Sequence, residues 1–491
     1  MVVDEPGCQV SAPGRSGRPQ RRRGRPENTR GGGPPRGRSG PYRPPELDPA
    51  RHAALELLTA VRVRDAYANL AMPAILRRHR LHDRDAALAT ELGYGTLRAQ
   101  GLLDAVIEAC TERPLARVEA HLLVALRLGA YQQLRTRVPP HAAVDTTVEL
   151  VRADGGSRAA GFVNAILRSV GERDEAAWVA ALAPPAAEDP VGHAAFVHAH
   201  PRWIAQAFAD ALGGTDELPA ALAADDARPV VHLLARPGEI TAEELALVTG
   251  GEQAPYSPYG VHLPSGSGEI GELDAVAEGL AVVQDEGSQL VAVALARAEP
   301  AGADEGRWLD LCAGPGGKAV LLGALAALED AALDAVEVSE HRADLVRRAV
   351  EGLPVAVHTA DGREAPLPAD TYDRVLVDAP CTGLGALRRR PEARWRRRPE
   401  DVAGLARLQR ELLAAALRHV RVGGVVAYVT CSPHLSETLG VMRRRREGVE
   451  ALDARPLLPG VPDLGDGPTV QLWPHRHGTD AMFLALLRRT S

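Results

Sequence analysis

From Val282 to the C-terminus, short apolar runs alternate with helical stretches: RWLDLC, DAVEVS, PVAVHT, DRVLVDAP, GGVVAYVTC and AMFLALL are each followed by a polar or glycine-bearing segment. Repeated strand–helix–strand units imply a largely parallel sheet covered by helices. Sheets of that kind hold ligands in the crevice beyond the carboxyl ends of their strands. Chemistry is therefore expected just after Leu311, Val338, Val377 and Val429.

With 491 residues, the chain exceeds what one hydrophobic core usually organises, so further domains should precede this one. Residues 1–45 hold ten arginines against Asp4, Glu5 and Glu27, with almost nothing to bury. They read as a disordered Arg/Gly/Pro-rich arm, serving either solubility or attraction to phosphate. Residues 46–175 are helical in pattern, with Leu55, Leu58 and Val61, then Leu122, Leu123, Leu126 and Leu134, at spacings of three and four. Residues 176–275 read as an Ala/Pro-rich linker with a short helical piece around HPRWIAQAF, followed by a small α+β unit, in which PVVHLLA is strand-like and TAEELALV helical. Residues 276–491 form the α/β domain.

The loop DLCAGPGGKA carries the chain's sole lysine, Lys318; the other 56 basic residues are arginine. A compact ammonium does what a planar guanidinium cannot, so a lysine kept in a glycine-rich loop suggests a specific contact. A Walker-type phosphate loop is excluded, because Ala319 stands where Ser or Thr is required. Gly314, Gly316 and Ala319 instead satisfy GxGxxA after a strand, and Glu337 closes the next strand about 20 residues on, as a dinucleotide site requires. S-adenosylmethionine sites rest on the same physics. Both a nicotinamide-dependent oxidoreductase and a methyltransferase are open on these residues alone, with Asp361 in TADGRE available to meet an adenine amino group.

Thiol placement separates the two. The five cysteines, Cys8, Cys110, Cys312, Cys381 and Cys431, form no CxxC pair, which fits reduced thiols better than a disulfide framework or zinc site. Cys381 in DAPCTG and Cys431 in VTCSPH follow two strands and should face one crevice, beside Asp378 and Lys318. Thiolates become reactive near positive charge and partial exposure.

At these residues a resemblance becomes specific. DLCAGPGGKA, DAPCTGLG, YVTCSPH and LWPHRHGTDAMFLALL together resemble the NOL1/NOP2/Sun family of RNA cytosine-5 methyltransferases. Val138–Val170, including Phe162, Val163 and Asn164, resembles the end of the NusB antitermination fold. The resemblance implies an all-α NusB-like RNA-binding domain, a small α+β RNA-binding subdomain and a Rossmann-like class I methyltransferase domain using S-adenosylmethionine. It further implies Cys431 as nucleophile toward carbon 6 of cytosine, Cys381 as the thiol that assists product release, Asp378 on the base edge, and Lys318 in the active site. Cys312, Ala313, Gly314, Pro315, Gly316, Gly317 and Lys318 would line the methionine end of the cofactor, Glu337 its ribose, Asp361 its adenine, and Asp378 the space between methyl donor and base. Three departures stand out: Gly314 where alanine is commoner, Ala319 for threonine or serine, and HLLARPG without the family's arginine and asparagine.

The segment RRRPEARWRRRPE carries seven arginines around Trp395 directly after the PCTGLG loop. Arginine can meet phosphate while tryptophan stacks on a base, so Arg388, Arg389, Arg390, Arg394, Trp395 and Arg396 are expected to touch RNA. Arg443–Arg446 reads as a solvated run. His475, His477 and Asp480 lack the spacing of a metal site, and no metal is expected. The opening MVVDEPGCQVSAPGRSG has no apolar core behind a basic flank, and no run reaches membrane-spanning length. The expectation is a cytoplasmic monomer acting on small-subunit ribosomal RNA before the subunit is complete, against a non-catalytic NusB-like RNA-binding factor as the rival.

Overall fold

The computed structural model describes residues 47–491 apart from 265 and 444–446, so the arginine-rich arm, Cys8 and Arg444–Arg446 lie outside the described residues. The helical front begins with α1 (Pro49–Arg64), where the Asp48 carboxylate accepts the Arg51 amide at 2.8 Å and Pro49 fills the first helical position. Then come α2 (Ala68–His79), α3 (Asp83–Ala109), α4 (Ala120–Arg135) and α5 (Pro140–Val170). Their three- and four-residue apolar spacing buries Leu57, Leu92, Leu102, Leu126 and Leu167 in one core. α3 and α4 pack tightly because Gly95 has no side chain: a Cβ there would lie 2.0 Å from the Tyr131 hydroxyl, which donates to Glu91 at 2.7 Å.

The stretch expected to be a linker with one short helical piece holds four helices, α6 (Glu175–Leu182), α7 (Pro190–Val197), α8 (Arg202–Leu212), which is that piece, and α9 (Leu218–Asp226). Asp174 and Asp189 cap two of them by accepting the Ala177 and Gly192 amides. Ile204, Phe208, Leu218 and Leu222 share a core with Leu384, Leu387 and Trp473 from the C-terminal part, so these alanine-rich helices are held by distant partners. A four-stranded antiparallel sheet follows, made of β1 (Val231–Ala235), β2 (Glu252–Gln253), β3 (Gly260–Leu263) and β4 (Ala281–Val283) in the order β2-β3-β1-β4. α10 (Ala242–Thr249), started by a Thr241–Glu244 capping box, packs on it. Both expectations for this unit, strand PVVHLLA and helix TAEELALV, are met.

The C-terminal sheet contains β5 (Arg307–Asp310), β6 (Ala332–Glu337), β7 (Val355–Thr359), β8 (Tyr372–Asp378), β9 (Val420–Thr430), β10 (Val449–Leu452), β11 (Val470–Gln471) and β12 (Phe483–Arg489). Its order is β10-β12-β9-β8-β5-β6-β7, with β11 beside β12. Pairing is parallel from β9 to β7 and antiparallel at β12. Side chains alternate between two apolar layers: Trp308 and Val425 face a core shared with α12 (Glu286–Arg297) and α13 (Gly317–Leu328), whereas Leu309 and Val426 face α16 (Pro399–His419). Of the remaining helices here, α11 (Asp274–Ala277) precedes β4, α14 (Glu340–Ala349) lies between β6 and β7, and α15 (Ala393–Arg396) follows β8. The chain runs outward through β5, β6 and β7 and then returns to place β8 on the other side of β5. The carboxyl ends of β5 and β8 thus flank a topological switch point. No helix among the described residues is long and apolar enough to cross a membrane.

Candidate active site

Register places the site residues. Asp310 aligns with Leu376 and Asp378 with Val429, so Asp378 projects one strand-repeat beyond Asp310, and Cys381 and Cys431 both lie just past neighbouring parallel strands. The glycine loop joins β5 to α13. Gly316 adopts φ +119° as the residue before that helix, a conformation side chains disfavour, and a Cβ there would press within 3.1 Å of Ala349. Gly314 allows a close approach: its amide donates to Glu337 Oε2 at 3.1 Å, and an added Cβ would lie 2.1 Å from the same oxygen. The other Glu337 oxygen accepts from the Ser339 amide at 2.9 Å, which fixes a buried carboxylate at the end of β6 beside the loop.

Lys318, in the first turn of α13, reaches across the crevice to Asp378 Oδ2 at 2.7 Å. The lysine side chain is 11% exposed and the aspartate 30%, so the pair is sheltered but open on the aspartate side. Burial alone would lower the ammonium's pKa; the charge and hydrogen bond of Asp378 more than reverse this and hold it protonated. Asp310 is a site residue that inspection of the motifs missed. Its Oδ1 accepts from the Cys312 amide at 3.2 Å, its Oδ2 is buried without a partner, and burial together with the Asp378 charge raises its pKa to about 7. The signal was visible as an acid closing the apolar run RWLD.

The two strand-end thiols meet, with Sγ of Cys381 3.4 Å from Sγ of Cys431. The contact with Cys431, burial, and the charges of Glu437 and Asp378 push the Cys381 thiol up. Cys312 lies farther back, and burial with the nearby carboxylates raises it strongly, which suits a packing residue rather than a nucleophile. Asp361 stands after β7, where a bidentate pair with Arg363, at 3.0 Å from Oδ1 to Nε, holds its carboxyl below the usual range. Glu437, also missed, is fully buried and hydrogen-bonds the residue after each strand-end cysteine: Thr382 through its amide at 2.8 Å, and Ser432 through its hydroxyl at 2.7 Å.

Comparison with known proteins agrees with this geometry. Residues 299–488 match the family described as 16S rRNA methyltransferase RsmB/F, and residues 48–172 match the NusB family. A putative methyltransferase of Mycobacterium tuberculosis strain H37Rv is 62% identical over 459 residues, covering 93% of this chain and 99% of the relative. Ribosomal RNA small subunit methyltransferase B of Citrobacter koseri is 32% identical, covering 79% of this chain and 90% of that one. The chain belongs to the 16S rRNA methyltransferase RsmB/F family. Among solved structures, that of PH0851 superposes with a TM-score of 0.74 at 23% identity over 90% of this chain and 99% of its own, and that of NSun6 from Pyrococcus horikoshii with SFG with 0.51 at 20% over 59% and 98%; both likenesses concern the fold.

One expectation for this RsmB/F-family chain needs correcting. The arginines after the PCTGLG loop do not all face outward. Arg388 is buried, donating to Asp480 and Asp285 at 2.8 Å each and to the Gly478 carbonyl at 2.8 Å. Arg389 binds the same two acids, at 3.1 and 2.6 Å. Arg394 is fully buried, donating to the Arg98 and Asp225 carbonyl oxygens and to Asp226. Arg396 donates to the Val61 and Ala66 carbonyl oxygens and lies over the Tyr67 ring. Trp395 packs so close to Gly101 that a Cβ there would sit 2.4 Å from the indole. Arg394, Trp395 and Arg396 fasten the catalytic part to the helical front, whereas Arg388 and Arg389 brace the segment against Asp285 and Asp480; acids and carbonyl oxygens far away in sequence offer the arginines paired acceptors. Arg390 remains exposed, as does Arg397. His475 pairs with Glu217, His477 accepts from the Trp473 amide, and Asp480 binds the two arginines, so the three point to separate partners.

Proposed function

We propose that this RsmB/F-family chain methylates carbon 5 of a cytosine in 16S ribosomal RNA through a covalent cysteine–cytosine intermediate. The observation that carries the reading is the meeting of Cys431 and Cys381 at 3.4 Å beside the Lys318–Asp378 pair. A cytosine carbon 5 is too weak a nucleophile to be methylated directly, and a thiolate adding to carbon 6 makes it enamine-like. Cys431 forms that S–C6 bond. Asp378, held by Lys318, meets the ring-nitrogen and amino edge, and the ammonium offsets the charge that develops there.

S-adenosylmethionine, when bound, supplies the methyl group as an electrophile. The glycine loop fits such a group: Gly314 and Gly316 leave the backbone bare, and the Glu337 carboxylate lies against it ready to accept from ribose hydroxyls. Cys312, Ala313, Pro315 and Gly317 complete the methionine end, with Asp361 toward adenine. Cys381 takes the carbon-5 proton and gives its own to Cys431 Sγ as the S–C6 electron pair returns there, which frees the product. SFG, an analogue of that donor, in the fold-related NSun6 supports the cofactor. The NusB-family front supports an RNA substrate, to which Arg390 contributes. The enzyme would act as a cytoplasmic monomer on RNA not yet fully assembled.

The test is transfer of labelled methyl from S-adenosylmethionine to 16S ribosomal RNA, with the modified base mapped. Cys431→Ala should abolish transfer, and Cys381→Ala should leave a protein–RNA adduct that survives denaturing electrophoresis. Transfer undiminished in Cys431→Ala, or tighter binding of NADH than of S-adenosylhomocysteine, would end the proposal.

A further inference from the structure

The two cysteine loops touch directly, through the Thr382 and Ser432 hydroxyls at 3.1 Å and the Gly385 amide on the Cys431 carbonyl oxygen at 2.9 Å, and one buried carboxylate ties them a second time. Glu437 Oε1 accepts from the Thr382 amide at 2.8 Å and from Gln409 Nε2 at 3.1 Å, while Oε2 accepts from the Ser432 hydroxyl at 2.7 Å and from the Thr382 hydroxyl. Gln409 also donates to the Pro380 carbonyl oxygen at 2.9 Å, and the Tyr428 hydroxyl donates to the Glu437 carbonyl oxygen at 2.6 Å. The residues preceding and following Cys381, and the one following Cys431, are thus tied to one anchor. Holding a carboxylate out of water is costly unless its hydrogen bonds are met, and here four donors meet them. All four are neutral, so they stabilise the charge without cancelling it.

We propose that Glu437 is a positioning residue that sets the separation of the two thiols and directs ionisation to Cys431 rather than Cys381. This rests on the methyltransferase reading above and adds a division of labour to it. A negative charge beside the Cys381 loop opposes a second negative charge there, and Cys431 lies in the field of the Lys318 ammonium. The direction agrees: the contact with Cys431 and burial raise the Cys381 thiol first, and the Glu437 charge adds to them. The arrangement keeps Cys381 a neutral thiol that passes its proton to Cys431 Sγ as the S–C6 bond breaks and takes up the carbon-5 proton in return, and it leaves only one sulfur to attack.

Glu437→Gln tests the charge with the shape retained, since its carbonyl oxygen can still accept from Thr382 and Gln409 while its amide faces two hydroxyls able to accept. Iodoacetamide labelling of the full-length protein across pH 6 to 10 (roughly bracketing thiol pKa values), read peptide by peptide, gives separate profiles for Cys381 and Cys431. In the wild type, Cys431 should label at lower pH. In Glu437→Gln, Cys381 labelling near neutral pH should rise about tenfold, the equivalent of one pKa unit. Glu437→Ala should lower kcat about 100-fold with KM for RNA and donor nearly unchanged, because misplaced groups cost turnover before binding. Glu437→Gln should recover most of that kcat. A Cys381 profile unchanged in Glu437→Gln overturns the proposal whatever turnover does, and it decides the matter alone if Glu437→Ala fails to fold. Labelling requires no methyl transfer, so failure of the methyltransferase reading would be seen separately, as a wild type that labels as expected but modifies no RNA.

Discussion

Asp310 offers the sharpest quantitative test of the site's electrostatics. Its carboxyl is raised from 3.8 to about 7, first by burial and then by the Asp378 charge. Below about pH 4, folded and unfolded chains both hold this proton; between about 4 and 7 only the folded chain does. Because the folded state binds more protons there, stability falls as pH rises through that window, by about 1.4 kcal/mol per unit or about 4 kcal/mol in all, and then levels off. Asp310→Asn removes the slope. Its Oδ1 keeps the acceptor role toward the Cys312 amide, while the new amide inherits the place of the unpartnered Oδ2, at a pH-independent cost of about 1–3 kcal/mol. Urea unfolding of variant and wild type at pH 5 and pH 8 isolates the effect, since titrations of groups that do not interact with Asp310 cancel in the difference. Between those values the variant should gain about 3 kcal/mol relative to wild type. A difference that stays constant with pH would show that Asp310 is ionised throughout and refute the reasoning.

Other consequences follow from the same geometry. Lys318→Arg should cut kcat about 100-fold while changing the dissociation constant of S-adenosylhomocysteine little; equal losses in both would make the lysine merely structural. Arg394→Met leaves Asp226 one partner short in a buried junction and should cost about 3 kcal/mol in urea unfolding, and an unchanged midpoint would count against the fastening role. Replacing exposed Arg390 and Arg397 with alanine should weaken RNA binding and reduce the slope of log affinity against log salt by about 1.4, as for two phosphate contacts to a single strand. An unaltered slope would remove this segment from the RNA surface.

Legibility tracked how local the cause was. The strand ends were readable because each apolar run stops at a polar residue, and Asp378, Cys381 and Cys431 could be placed in one crevice once the sheet was taken as parallel. The separation of the thiols could not, since it depends on the β8–β9 register and on a carboxylate six residues beyond Cys431, in the polar turn SPHLSETL, where no pattern marks it. Of the four helices between Glu175 and Asp226 only the piece around HPRWIAQAF was legible; the others are segments of eight or nine residues, α6 held by the core of the helical front and α7 and α9 by a core that includes Leu384, Leu387 and Trp473. Arginine content was equally silent on destination. Whether Arg388 or Arg394 turns inward depends on Asp225, Asp226, Asp285 and Asp480, all distant along the chain.

That contrast also explains why a chain so committed to arginine keeps one lysine. Each inward arginine spreads its planar fork over several acceptors: Arg388 over two carboxylates and a carbonyl, Arg394 over a carboxylate and two carbonyls. At position 318 the acceptor is one carboxylate oxygen, Asp378 Oδ2, with buried Asp310 and the Cys431 thiol in the surrounding field. A guanidinium there would bury donors with nothing to receive them. An ammonium concentrates the same charge on one atom, satisfies Asp378, and leaves that side chain partly open toward the space where the base edge must come.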